Sequence, residues 1–157
     1  MAEVERKFLV GDVPDGLGAG ASLRQAYLAI DGDVEVRVRD EDGSFTLTVK
    51  GGSGLERTEV EAALDAERFA ELWPLGEGRR IEKVRHRVPL DDAGAPDLVA
   101  ELDVFAGVLA GLVVVEVEFP DRAAADAFTP PAWFGEELTG SRGWSNADLA
   151  RYGRPPG

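Results

Sequence analysis

Glu3, Glu5 and Lys7 recur at every second position in the stretch AEVERKFLV, residues 2–10. Alternation of period two puts them on one face of an extended strand, with Val4 and Phe8 on the other. The order is acid, acid, base, and the rise of a strand carries Lys7 about 7 Å beyond Glu5. Carboxylates without histidine bind hard divalent cations through oxygen. Lysine and arginine bind phosphate oxygens, arginine often through two parallel hydrogen bonds. A metal–polyphosphate complex needs both kinds of group.

The pattern recurs along the chain. Glu35, Arg37 and Arg39 alternate with Val34, Val36 and Val38, and Thr46, Thr48 and Lys50 alternate with Phe45, Leu47 and Val49. Arg57, Glu59 and Glu61 share one parity, as do Lys83, Arg85 and Arg87. Glu101 and Asp103 are backed by Leu102 and Val104, and Glu116 and Glu118 by Val115, Val117 and Phe119. One reading is a sheet with a solvated face carrying cross-strand ion pairs. The other is an inside-out barrel whose charged faces line a tunnel, since about eight strands can enclose a small ligand. On these faces nine acids nearly balance eight bases, while the whole chain carries −13. A solvated face on so acidic a surface has no need of that many bases, which favours the tunnel.

The elements that must position these residues follow from the same periodicity. Strands are expected at roughly 2–9, 22–30, 33–39, 44–50, 56–63, 80–89, 98–105 and 112–119. Asp42-Gly43 is a hairpin signal, and residues 91–96 and 106–111 read as turns. Helices are expected at 65–73, 121–128 and 145–152, opened by Asp65, Asp121 and Ser145. Asp148 gives the last a partial capping box. Mostly antiparallel strands at regular spacing imply a closed barrel or a sandwich in one domain over 1–157.

The bulk numbers exclude several classes of function. There is no cysteine, hence no disulfide and no thiolate metal site. The single histidine, His86, excludes a multi-histidine centre, so any metal is held mainly by oxygen. The charge of −13 opposes general binding to nucleic acid or anionic membrane. With no apolar run of about 18 residues, no membrane span is expected. The acidic start lacks a signal-peptide pattern, which implies the cytoplasm. An acidic exterior does not prevent a homodimer.

At this point the ordered series EVERKF, QAYL (25–28), EVRVR (35–39), FTLTVK (45–50), RTEVE (57–61), KVR (83–85), ELDVFAGVLAGL (101–112) and VEVEF (115–119) resembles the CYTH family, the triphosphate tunnel metalloenzymes. WSNADLA, residues 144–150, is similar to the family's closing helix. The resemblance spans nearly the whole chain. It implies an α+β, β-dominated fold: an eight-stranded antiparallel closed barrel with a few peripheral helices and a C-terminal helix. It implies a small triphosphate substrate bound with Mg²⁺ or Mn²⁺. Lys7, Arg37, Arg39, Lys50, Lys83 and Arg85, with Arg57, are then expected to contact phosphates. Glu3, Glu5, Glu116 and Glu118 are expected to hold a first metal, with Asp103 as a ligand or supporting acid. Glu59 and Glu61 would serve a second metal or orient the attacking water. Tyr27 is expected to pair with Lys83 and take part in catalysis.

The activity implied is metal-dependent hydrolysis of inorganic tripolyphosphate to pyrophosphate and phosphate. Class IV adenylate cyclase activity, thiamine triphosphatase activity and non-catalytic binding of polyphosphate or nucleotide are the alternatives. Arg87 is expected at a rim, His86 packed on the Val84/Val88 face, and Trp73, Trp133 and Trp144 in packing roles. The glycine-rich stretches 16–21 and 50–54 lack the Lys-Ser or Lys-Thr ending of a phosphate loop and read as plain loops.

Overall fold

The computed structural model describes residues 2–52 and 55–156, so Ser53 and Gly54 of the glycine-rich stretch 50–54, and both chain-terminal residues, lie outside the described residues. Eight strands form: β1 (Ala2–Leu9), β2 (Ala21–Asp31), β3 (Val34–Glu41), β4 (Ser44–Gly51), β5 (Glu56–Leu64), β6 (Arg80–Pro89), β7 (Val99–Phe105) and β8 (Val113–Phe119). They close into an antiparallel barrel in the order β1-β5-β4-β3-β2-β6-β7-β8. Tight hairpins make this possible. Asp42 and Gly43 both take positive φ, 49° and 87°, the primed turn that matches strand twist.

Directly opposed residues on antiparallel neighbours share a face. The register therefore groups the alternating charges without ambiguity. Glu35 faces Lys50 and Lys50 faces Glu59. Glu3 faces Arg57, Lys7 faces Glu116, and Arg85 faces Asp103. The apolar residues between them form the opposite, outer face.

Two of three short helices cover parts of that outer face, and the third packs on apolar residues of lumen parity at the cavity end of the barrel. Helix α1 (Ala66–Leu72) places Phe69 against Ala26 and Val38. Helix α2 (Arg122–Ala127) closes over Val4, Val117 and Phe119. Helix α3 (Asn146–Tyr152) buries Ala147 and Leu149 against Ile81, Leu112 and Val114. The three expected N-caps are in place: Asp65 accepts from Arg68 N, Asp121 from Ala124 N and Ser145 from Asp148 N. Helix α2 ends one residue short of the expected 128, where Phe128 is already extended and meets Phe119 and Phe134. Nor do helices cover the whole barrel. Val36, Val49 and Val60 are cross-strand neighbours, and Val60 stays 59% exposed. Among the described residues, no helix is long and apolar enough to cross a membrane.

The closing strand divides its partners. β1 pairs with β5 only through Ala2–Val4, but with β8 from Val4 to Leu9. The edge that β5 vacates needs other hydrogen-bond partners, and the segment 135–139 supplies them. Leu9 N donates to Glu136 O at 2.8 Å, Gly135 N to Leu9 O at 2.7 Å and Leu138 N to Lys7 O at 2.8 Å. Arg6, on the outer face, clamps the same segment through Glu137, at 2.7 Å.

This approach leaves no room at Gly135, where an added Cβ would lie 2.7 Å from Leu9 O. Gly135→Ala is expected to lower unfolding free energy by about 1–3 kcal/mol, as overpacking against backbone does. Gly18→Ala, with nothing within 4 Å, is the control, expected within about 0.5 kcal/mol of the parent. Urea unfolding of both variants checks this.

Candidate active site

A cavity of about 380 Å³ opens at the end of the barrel where β1 finishes. Glu5, Lys7, Glu35, Arg37, Lys50 and Arg57 line it from the barrel side. The segment Leu138–Asp148 lines it from above. Lys83, Arg85, Asp103 and Tyr27 lie deeper, each at most 5% exposed. A second groove at the other end of the barrel is bordered by Arg87, Glu101 and Glu118.

Burying this many charges is possible only where they compensate one another. Lys50 Nζ lies 3.1 Å from Glu3 and 3.5 Å from Glu59. Lys7 Nζ lies 3.2 Å from Glu116 and donates to Trp144 O at 3.1 Å. Arg57 meets Glu35 at 3.4 Å. Asp103 takes a two-pronged pair from Arg85 at 2.7 and 2.8 Å, and Lys83 Nζ approaches it at 2.8 Å. Arg87 is at the rim as expected, paired with Glu41 and Glu101.

Compensation is incomplete in two respects. On the cationic side, Arg37 Nε and Lys83 Nζ are buried without a hydrogen-bond partner among the described residues. The Lys83 contact to Asp103 is close but lacks hydrogen-bond geometry. Burial pushes the Lys83 ammonium down to about 7, against the pull of Asp103 and with the help of Arg85 and Arg39. Burial also lowers Arg39 to about 10, assisted by Arg37 and Arg85. On the anionic side, burial and the neighbouring Glu59 raise Glu3 to about 8. Burial and the nearby Glu116 raise Glu5 to about 7. Burial and Glu59 raise Glu118 as well. Glu116 titrates well below the usual range despite its burial, because Lys7, Lys83 and Arg85 surround it.

Glu3, Glu5, Glu59, Glu116 and Glu118 are the side chains able to hold a divalent cation. Among the described residues no three of them converge at ligand spacing; bases stand between them. The donors are carboxylate oxygens, the ligand type of hard divalent ions, and a cation among them would relieve the raised Glu3 and Glu5.

Two expected placements differ. Tyr27 does not pair with Lys83: its hydroxyl accepts from Gln25 Nε2 at 2.9 Å and lies against Arg37, while Lys83, opposite Leu23 on the neighbouring strand, turns to Asp103. Glu61 is exposed, accepting a long 3.4 Å bond from Thr48. Sequence reasoning left three features out of the site. Glu35 and Gln25 carry the lumen parity, so alternation alone could have found them. Residues 138–143 of the roof had no signal, and WSNADLA, though read as a closing helix, did not show that the Trp144 carbonyl meets Lys7.

A closed barrel whose inner face carries charge and whose apolar face points outward is a ligand tunnel, not a packed core. Comparison with known proteins gives the same class. The chain is 46% identical over 151 residues to an inorganic triphosphatase of Nitrosomonas europaea, covering 96% of this chain and 97% of that one. It is 37% identical over 152 residues to an inorganic triphosphatase of Acetivibrio thermocellus, covering 95% and 93%. A crystal structure of an inorganic triphosphatase superposes with a TM-score of 0.69 at 44% identity, over 98% of this chain and 99% of that one. A Hippeastrum protein at 15% identity shares the fold, with a TM-score of 0.56 over 79% of this chain and 82% of that one. No protein-family model matches. The chain belongs to the CYTH family of triphosphate tunnel metalloenzymes, with the inorganic triphosphatases.

Asp103 anchors the lumen, and its loss has a defined cost. Asp103→Asn leaves Arg85 and Lys83 without their carboxylate and is expected to cost about 3–5 kcal/mol near neutral pH. Burial opposes ionisation of Asp103, but Lys83 and Arg85 outweigh it and hold the folded-state pKa below the ordinary value. Its stabilisation is therefore present above about pH 4 and is lost as pH falls through the folded value. Urea midpoints should show the variant's deficit shrinking on acidification below pH 4; a deficit that does not change with pH contradicts the assignment.

Proposed function

We propose that this chain hydrolyses inorganic tripolyphosphate to pyrophosphate and phosphate, using Mg²⁺ or Mn²⁺, in the cytoplasm. The observation that carries the reading is the double shortfall in one lumen: buried cations with unspent donors beside carboxyls that retain protons. A polyanion bearing a divalent cation meets both needs. The lack of cysteine and the charge of −13 support a cytoplasmic enzyme that does not bind nucleic acid. A homodimer is compatible with the acidic exterior.

In this reading Lys7, Arg37, Arg39, Lys50, Arg57, Lys83 and Arg85 bind and align the non-bridging oxygens. Glu3, Glu5, Glu116 and Glu118 hold the divalent ion, with Asp103 fixing Arg85 and Lys83 behind them. The bound ion supplies neutralisation of phosphate charge and polarisation of the phosphorus–oxygen bond. Glu59 orients a water against the terminal phosphorus. The new oxygen–phosphorus bond forms as the bridging bond breaks, pyrophosphate departs with the bridging electron pair, and a carboxylate takes the water's proton. Fixed charges in a lumen screened from solvent provide most of the stabilisation such a transfer needs.

Phosphate release from tripolyphosphate should require Mg²⁺ or Mn²⁺. No release with either ion overturns the proposal, and cyclic AMP from ATP or preferential cleavage of thiamine triphosphate selects another reaction at the same site. Lys7→Ala and Glu5→Ala are each expected to reduce kcat/KM by about 100-fold or more, with circular dichroism unchanged.

A further inference from the structure

β2 is the strand that brings no charge into the lumen. Its inward residues Leu23, Gln25 and Tyr27 are essentially fully buried, and two of them face cations: Gln25 opposes Arg39 and Tyr27 opposes Arg37. Among the described residues neither arginine forms an ion pair. The side-chain bond made by Arg39 runs from its Nε to Gln25 Oε1, at 3.0 Å. The other end of that amide, Nε2, donates to Tyr27 Oη at 2.9 Å.

The chemistry of the donors leaves one arrangement. A guanidinium can only donate, so the amide oxygen must face Arg39 and the amide nitrogen must face the tyrosine. Tyr27, locked by complete burial, thus fixes the orientation of the amide, and the amide fixes Arg39. A neutral acceptor is the group that can do this without cost to the ligand. A carboxylate at the same place would hold Arg39 equally well but cancel its charge.

We propose that Gln25 is a positioning residue for anion binding: it aims the Arg39 guanidinium at the phosphate chain while leaving its charge uncompensated. The proposal rests on the triphosphate reading above, and its test separates the two. Tripolyphosphate binding is measured by calorimetry without metal, and hydrolysis is followed separately.

Gln25→Glu is the informative variant. The tyrosine hydroxyl can turn to donate to the new carboxylate, so the thermal midpoint is expected to equal or exceed that of the parent. Tripolyphosphate affinity is expected to fall by about 30-fold or more, with a parallel rise in KM, as a full positive charge is neutralised. Gln25→Leu is expected to raise Kd and KM by about 10-fold, the loss of one oriented bond to a charged group, with kcat changed far less. In an Arg39→Ala background Gln25→Leu should add less than about 2-fold, since both act through one contact.

Unchanged affinity in a stable Gln25→Glu protein overturns the proposal, as does full additivity in the double variant. Parent protein that binds tripolyphosphate but releases no phosphate overturns hydrolysis and leaves the Gln25 series decisive. Parent protein that does not bind overturns both.

Discussion

Everything in this barrel depends on charge being buried next to opposite charge. The outer face holds the apolar residues, so the lumen must be built from groups that water would otherwise solvate. Each ion taken from water costs several kcal/mol unless a partner stands close. The lumen answers with short, interlocked pairs: Lys50 between Glu3 and Glu59, Asp103 between Arg85 and Lys83, Lys7 against Glu116. Register is thereby fixed as firmly as by a hydrophobic core. A slip of one residue would turn every ion pair outward and every valine inward.

The same logic explains where the lumen is receptive. Arg37, Arg39 and Lys83 gather on the side where β2 offers a glutamine and a tyrosine instead of acids. Glu3, Glu5 and Glu118 lie close to other carboxylates and hold protons more tightly than usual. Positive and negative surpluses thus sit in one enclosure, separated by only a few side chains. Lys50, Lys7 and Arg57 relieve the acidic surplus only in part, since Glu3 and Glu5 stay raised despite them.

Much of this was legible in the primary structure, for a physical reason. Strand alternation has a period of exactly two residues, so Glu35, Arg37 and Arg39 or Glu116 and Glu118 declare a shared face without any alignment. The near-balance of acids and bases on those faces distinguished an inner surface from an outer one. The partners could not be read in the same way, because they depend on register between strands far apart in sequence. Tyr27 illustrates this: its parity was correct, yet its neighbour is Gln25, two places away on the same strand. The contact of the roof with Lys7 was illegible for a different reason. Backbone carbonyls have no side-chain signature, and the contact of Trp144 O with Lys7 depends on how β1 sheds β5.

That shedding bears on how the molecule assembles. Residues 6 and 7 of β1 find their partners in Glu137, Thr139 and Trp144, at separations of 131, 132 and 137 positions. A contact so distant closes a very long loop, and chains dominated by such contacts fold slowly. The strands from β2 to β5 are joined by local hairpins and can pair early. β1 cannot seal the barrel before β8 and the segment beyond it are in place. Dehydration of the lumen, with its associated energetic cost, is therefore concentrated in the last step of folding. The pairs that offset that cost, Lys7 with Glu116 among them, form only when β1 meets β8.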